Sequence, residues 1–307
     1  MQVPLERSVC GMYGLPVRVS PENPMTTAEL LRHIDEIDRI GNDQWIAKLE
    51  PRKLAELEFH NRDRDRAFIA QNSAGDSFEK FYGNKKYYST TARSRDYVAE
   101  WIRRESQGRV FLDYACGNGN YAMFAAESGA ELSLGFDISD VSVQNCVEAA
   151  HERGLDRNTR FFQADAERTM LPDSSVDRII CSGMLHHLDL SYAFPELRRI
   201  LKPGGKLLAV EALDYNPVIK LYRMVTPDMR TEWEKAHILS LKDIRFAERF
   251  FEIGEVRYWH VIGYAGALVK PLARPLDAID SLLERVPLLN RMAWTFTFEL
   301  VKPETAS

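Results

Sequence analysis

From residue 109 onward, short apolar runs alternate with longer amphipathic ones, and this alternation sets the expected fold. Strand-length runs occur at 109–114, 131–136, 159–164, 176–182 and 205–212, and stretches of helical spacing at 120–128, 140–153 and 191–201. Runs that are apolar at successive positions suit a sheet covered on both faces. The rhythm predicts an α/β domain: a parallel sheet with right-handed crossovers and helices on both sides. Ligands in such sheets sit beyond the carboxyl ends of the strands, so the residues that end each strand are the ones to read for chemistry.

Ahead of this region, Thr26 or Thr27 can cap a helix in which Leu30, Leu31, Ile34, Ile37 and Ile40 recur at helical spacing as far as Gly41. Its one-sided stripe needs cover, either from the sheet or from a second copy of the chain as a homo-oligomer; both stay open. Pro51 suits the first turn of a second helix reaching about Asn72, polar on most of its surface. The stretch 77–89 is dense in aromatics, and a helix at 92–105 leads into the first strand. Residues 1–25, with four prolines, read as an extended arm. The expected division is 1–75, arm and helices serving as a lid or in oligomerisation, and 76–307, the ligand-binding domain, with an insertion at 214–239 placed to close over the strand ends.

With 307 residues and 45% hydrophobic content the chain can bury a full core, and one elaborated domain is expected. A net charge of −5 without a long basic tract argues against a nucleic-acid partner. Arg62, Arg64 and Arg66 alternate with Asp63 and Asp65, the pattern of a solvated helix face. Cys10, Cys116, Cys146 and Cys181 are scattered, so neither a disulfide framework nor a zinc site is indicated. The most apolar late stretch, 261–276, is interrupted by Lys270, Pro271, Arg274 and Pro275. A cytoplasmic chain with no membrane partner is the expectation.

The chemistry centres on Arg109 to Ala122. A buried strand ends in Asp113, and Gly117 and Gly119 then let the backbone turn tightly and approach a ligand. The helix that follows points its N-terminal amides at that ligand. Gly117 to Ala122 also fits the dinucleotide pattern, with Asp137 about twenty residues on where a ribose-binding acid belongs. Asp137 can accept from both hydroxyls of a ribose, and Ile138 offers an apolar face to a purine. A third strand end, Asp165-Ala166, supplies an acceptor for an adenine amino group and an amide for a ring nitrogen, an element that a dinucleotide site does not need.

Taken together, Leu112-Asp113-Tyr114-Ala115-Cys116-Gly117-Asn118-Gly119, Asp137, Asp165-Ala166, Val176 to Ser182, and Leu201-Lys202-Pro203-Gly204-Gly205 resemble the class I S-adenosylmethionine-dependent methyltransferases over roughly 80–250. The resemblance implies a Rossmann-like seven-stranded sheet whose last two strands, near 252–264 and 291–301, pair antiparallel, with a helix at 276–285 between them. It implies S-adenosylmethionine as cofactor with no metal. Asp113 and the Cys181 carbonyl would lie near the methionine amino group, Ser182 beside them, and Tyr88 on the methionine carboxylate. Ala115 departs from the family's usual glycine, and the turn is expected to absorb the methyl. His186 and His187, after the fourth strand, are the candidate bases. Phe81, Tyr82, Tyr215 and Tyr222 are candidates for an aromatic substrate wall. The layout is also similar to natural-product methyltransferases of the teleocidin-pathway prenyl C-methylating type. The expected activity is methylation of a small, largely apolar metabolite, at the carbon of a prenyl alkene first. O- or N-methylation, or a catalytically silent cofactor-binding partner subunit, are the alternatives.

Overall fold

A computed structural model describes residues 25–73 and 82–304. Seven strands form one sheet in the order β3-β2-β1-β4-β5-β7-β6. They are β1 Val110–Tyr114, β2 Leu132–Asp137, β3 Thr159–Gln163, β4 Val176–Ser182, β5 Leu201–Ala212, β6 Glu252–Trp259 and β7 Thr295–Val301. The first five are parallel, and β7 runs against both β5 and β6. Register aligns the ends that matter: Asp113 lies opposite Gly135, Tyr114 opposite Cys181, and Asp137 opposite Gln163. Every residue of β1 and β2 is buried, as suits strands covered on both faces, and the one polar residue inside β2, Ser133, donates its hydroxyl to the Ala122 carbonyl at 2.6 Å.

Boundaries differ where local chemistry overrides periodicity. The second helix ends at Arg64, because Asp65 turns to an extended ψ and caps a new helix, Arg66–Gln71, by accepting from the Phe68 amide at 2.6 Å. Strand β5 starts at Leu201, directly after the helix Leu190–Ile200. Strand β6 stops at Trp259, and the late helix spans Ala273–Leu283.

The first helix, Thr27–Asp38, opens with a capping box between Thr26 and Glu29. Its Leu30, Ile34 and Ile37 are fully buried in the same core as Leu134 and Phe162, each burial stabilising by about 1.5–3 kcal/mol. Arg160 on β3 pairs with Asp35 at 2.8 Å and with Asp38. The apolar stripe is therefore covered within the chain. Among the described residues no helix is long and apolar enough to cross a membrane.

Candidate functional site

After β1 the backbone enters the left-handed region three times, at Ala115 (φ 54°), Gly117 (53°) and Gly119 (65°). A Cβ at Gly119 would lie 2.8 Å from both Cys146 Sγ and Phe161, and one at Gly117 2.8 Å from Arg64 Nη2. Glycine is favoured at both by conformation, and at Gly119 also by space, whereas the Arg64 guanidinium beside Gly117 can swing aside. The accommodation expected at Ala115 needs correcting: the turn forms, but the L-residue there holds a strained φ.

Asp137 Oδ2 accepts from the Gly117 amide at 2.9 Å and Oδ1 from the Ser139 amide at 3.0 Å, so the ribose acid candidate also braces the turn. Asp113 accepts from the Ala122 amide at 3.2 Å, in the first turn of the helix Asn120–Glu127. Burial pushes its carboxyl up to about 8, with hydrogen bonds from Ala122 and Tyr121 opposing and the Asp137 charge adding to the rise.

Beyond these strand ends lies a cavity of about 270 Å³, lined by Ala115, Gly117, Asp137, Ile138, Asp165, Ala166 and Ser182. Seven of the residues read from the sequence are thereby brought together. Asp113, Gly119 and Cys181 stand behind this wall, shaping it without lining it. Tyr88 is elsewhere: the 3-10 segment Gly83–Thr90 packs on the turn Gly263–Ala267, and the Tyr88 ring sits 5.3 Å from that of Trp294 in a second cavity.

Sequence reasoning missed the outer wall, which is the helix Pro51–Arg64. Its Arg52, Lys53, Glu56, His60 and Arg64 all line the first cavity. A signal was present: Lys53, Glu56, His60 and Arg64 recur at helical spacing, a polar stripe where an apolar one would have been read as core. Lys53 Nζ lies 2.6 Å from Asp165 Oδ2 and 2.9 Å from Glu167, and Arg52 lies 2.6 Å from Glu167. Asp165 Oδ1 accepts from the Glu167 amide at 2.9 Å. A base amino group approaching Asp165 would therefore share the carboxylate with Lys53, which its remaining lone pairs allow.

The two histidines divide between the cavities. His187 lines the first, and its Nδ1 lies 2.9 Å from Glu56 Oε2. Burial, with the neighbouring His186, pushes its imidazole down to about 3 against the pull of Glu56, so it is neutral. His186 lines the second cavity. Its Nδ1 is 2.7 Å from Glu211 Oε2, while Glu211 Oε1 accepts from the Met184 and Leu185 amides at 2.9 and 2.7 Å. Burial alone would lower the His186 pKa, but Glu211, and more weakly Glu234, carry the net shift upward. The rings are 4.2 Å apart.

The second cavity, about 240 Å³, is walled by Tyr87, Tyr88, Tyr222, Tyr264 and Trp294, with Arg223, Arg230 and Glu234 as its charged members. Arg223 Nη1 is buried without a hydrogen-bond partner. Of the aromatic candidates Tyr222 belongs here. Tyr82 is buried away from this wall beneath Lys85, and the Tyr215 hydroxyl accepts from the Leu241 amide at 3.2 Å; both are corrections, since neither ring lines the cavity. Phe81 lies outside the described residues.

The insertion reaches the first cavity's wall through Thr231, whose hydroxyl donates to Glu56 at 2.5 Å. Donor atoms of Glu56, His60 and His187, and of His186, His187 and Glu234, lie within 4.8 Å of one another, close enough for a cation. The Glu56–His187 contact at 2.9 Å already accounts for the first group as hydrogen bonding.

Sheet order, left-handed turn and strand-end acids together define a class I methyltransferase fold, and residues 112–209 match the family model described as a methyltransferase domain. Over this domain the chain is similar to the class I S-adenosylmethionine-dependent methyltransferases. Among curated proteins it is similar to the 27-O-demethylrifamycin SV methyltransferase of Amycolatopsis mediterranei, 31% identical over 38% of this chain and 43% of that protein. It is also similar to the ubiquinone/menaquinone biosynthesis C-methyltransferase UbiE of Idiomarina loihiensis, 35% identical over 34% and 43%. The chain spans less than half the length of these relatives. The solved geranyl diphosphate C-methyltransferase of Streptomyces coelicolor A3(2) shares the fold, with a TM-score of 0.54 and 16% identity over 83% of this chain and 99% of that one.

Proposed function

We propose that this chain transfers the methyl group of S-adenosylmethionine to a small, largely apolar acceptor held in the aromatic cavity. The observation that carries the reading is the pairing of His186, on the turn between the two cavities, with Glu211 of β5: one imidazole nitrogen is fixed by Glu211 at 2.7 Å and the other is on the side of the second cavity, 3.9 Å from Glu234.

The first cavity fits the cofactor. Asp137 can receive a ribose diol, Ile138 a purine face, Asp165 and Ala166 the base edge, and the glycine turn leaves room for the methionine portion. When bound, the cofactor supplies an electrophilic methyl on a sulfonium. The protein's share is alignment and exclusion of water. Ser182, Gly183 and Met184 line the first cavity and lead directly into His186, so they form the boundary between donor and acceptor compartments. Aromatic faces hold the apolar body, and Arg223 Nη1, 3.6 Å from Asp214 but without a hydrogen bond, offers a donor to its polar end. His186, oriented by Glu211, takes up the proton that the acceptor loses.

For the acceptor atom, the aromatic walls support the carbon of a prenyl or terpenoid alkene, because ring faces steady the cation formed on methylation. The oriented base favours a hydroxyl or amine as the second reading. Incubation of cell extracts with isotopically labelled S-adenosylmethionine, read by mass spectrometry, distinguishes them by product. Calorimetry with S-adenosylhomocysteine and NAD tests the cofactor: binding of the first alone is expected, and binding of NAD alone would overturn the reading.

A further inference from the structure

Among the described residues, most of the large apolar side chains left in solvent fall in two stretches, 218–225 and 268–289. The first is the helix Pro217–Val225, on which Val218, Leu221 and Met224 are 59, 60 and 76% exposed. The second contains the helix Ala273–Leu283, with Leu268 and Leu282 65 and 64% exposed. The stretches are far apart in sequence but flank one opening: Val218 and Leu268 both line the aromatic cavity, and Asn216, the cap of the first helix, donates to the Met292 carbonyl at 2.6 Å.

Charge on this side runs against the rest of the molecule. Lys270, Arg274, Arg285 and Arg291 are exposed and have no ion-pair partner among the described residues, on a chain of net charge −5. The acids of the same stretch are tied inward. Asp277, 41% exposed, and Glu284 hold Arg93 at 2.7 and 2.6 Å and are neutralised by it, and Asp280 is fully buried, accepting from the Ile262 and Gly263 amides. What faces solvent is therefore apolar side chains with unpaired cations among them, the composition of helices that lie in a bilayer interface.

We infer that this face docks on an anionic phospholipid bilayer, with the mouth of the aromatic cavity turned toward the membrane. The face buries its leucines and methionine among acyl chains while the four cations meet lipid phosphates. The cavity can then take an apolar acceptor from the bilayer without passing it through water. The docking itself does not depend on the methyl-transfer reading. A sequence scan for long apolar runs does not see this face, because it is assembled from two short amphipathic segments.

The test is co-sedimentation of the full chain with vesicles of phosphatidylcholine alone and of phosphatidylcholine with roughly a third phosphatidylglycerol. Binding to the anionic vesicles is expected to be at least tenfold tighter than to the neutral ones, and to weaken as salt rises, since each surface cation contributes roughly fivefold. Leu282→Asp and Met224→Asp, both at exposed positions, should each reduce it about tenfold or more by removing apolar burial and adding a repelled charge. Arg274→Gln with Lys270→Gln should lower it with no apolar change at all. Unchanged S-adenosylhomocysteine affinity in each variant verifies the fold. A chain that stays in the supernatant with both vesicle types overturns the inference. So does a dimer by light scattering that Leu282→Asp dissociates while vesicle binding is absent, which would assign the face to a second copy.

Discussion

Ala115 holds a backbone angle that glycine adopts without penalty, and Ala115→Gly should therefore stabilise the protein. An L-residue in the left-handed region costs about 1–2 kcal/mol. Replacing it by glycine returns about 0.4–1 kcal/mol to the unfolded chain as conformational freedom. The difference leaves a net stabilisation of about 0.5–1 kcal/mol. In urea titrations followed by tryptophan fluorescence, the midpoint should move to higher denaturant with the slope unchanged. Ala115 lines the first cavity, so S-adenosylhomocysteine affinity is the control. Loss of one methyl contact is worth at most about 0.8 kcal/mol, about fourfold in affinity. A midpoint equal to or below that of the parent chain, at equal slope, would refute the argument that this turn is conformationally strained.

Asp137→Asn should weaken S-adenosylhomocysteine binding by roughly ten- to a hundredfold in calorimetry, the worth of about 1.5–3 kcal/mol for hydrogen bonds to a charged acceptor; undiminished affinity would exclude Asp137 from the site. His186 must be neutral to accept a proton, and Glu211 holds its pKa above the ordinary histidine value. The methylation rate should accordingly rise with pH through a midpoint above about 6.5. Glu211→Gln should move that midpoint down and lower the maximum rate, whereas a parent profile flat from about pH 6 to 9 would remove His186 from the chemistry. His187, pushed down to about 3, stays unprotonated in the folded chain where an unfolded one would protonate near 6.5. The folded state therefore loses stability as pH falls from about 6.5 toward about 3. His187→Gln should flatten that slope, read as urea midpoints at about pH 7 and pH 5, and an unaltered slope would count against a buried neutral ring.

What could be read in advance was what the chain writes locally. The strands β1, β2 and β4 are largely apolar, broken at Ser133 in β2 and at Asp177-Arg178 in β4, and register aligns Asp113, Asp137 and Ser182 near their carboxyl ends. The acids and the glycine turn were legible because backbone geometry determines where they go. The aromatic wall was not. Tyr264 and Trp294 join Tyr87, Tyr88 and Tyr222 only through the packing of segments far apart in the chain, and neighbours as close in sequence as Tyr82 and Tyr87 take different surroundings. The helix Pro51–Arg64 was placed correctly at its start, yet its partner was not, because a polar stripe reads the same whether it meets water or lines a cavity.

That helix has a kinetic consequence. It is latched to the rest of the molecule by the ion pairs of Arg52 and Lys53 with the loop after β3, and by the hydrogen bond between Glu56 and the neutral His187. The residence time of whatever occupies the space beneath is therefore expected to depend on how often these ion pairs part. Added salt should quicken escape even where equilibrium affinity barely changes, and turnover then answers to an electrostatic hinge as well as to chemistry.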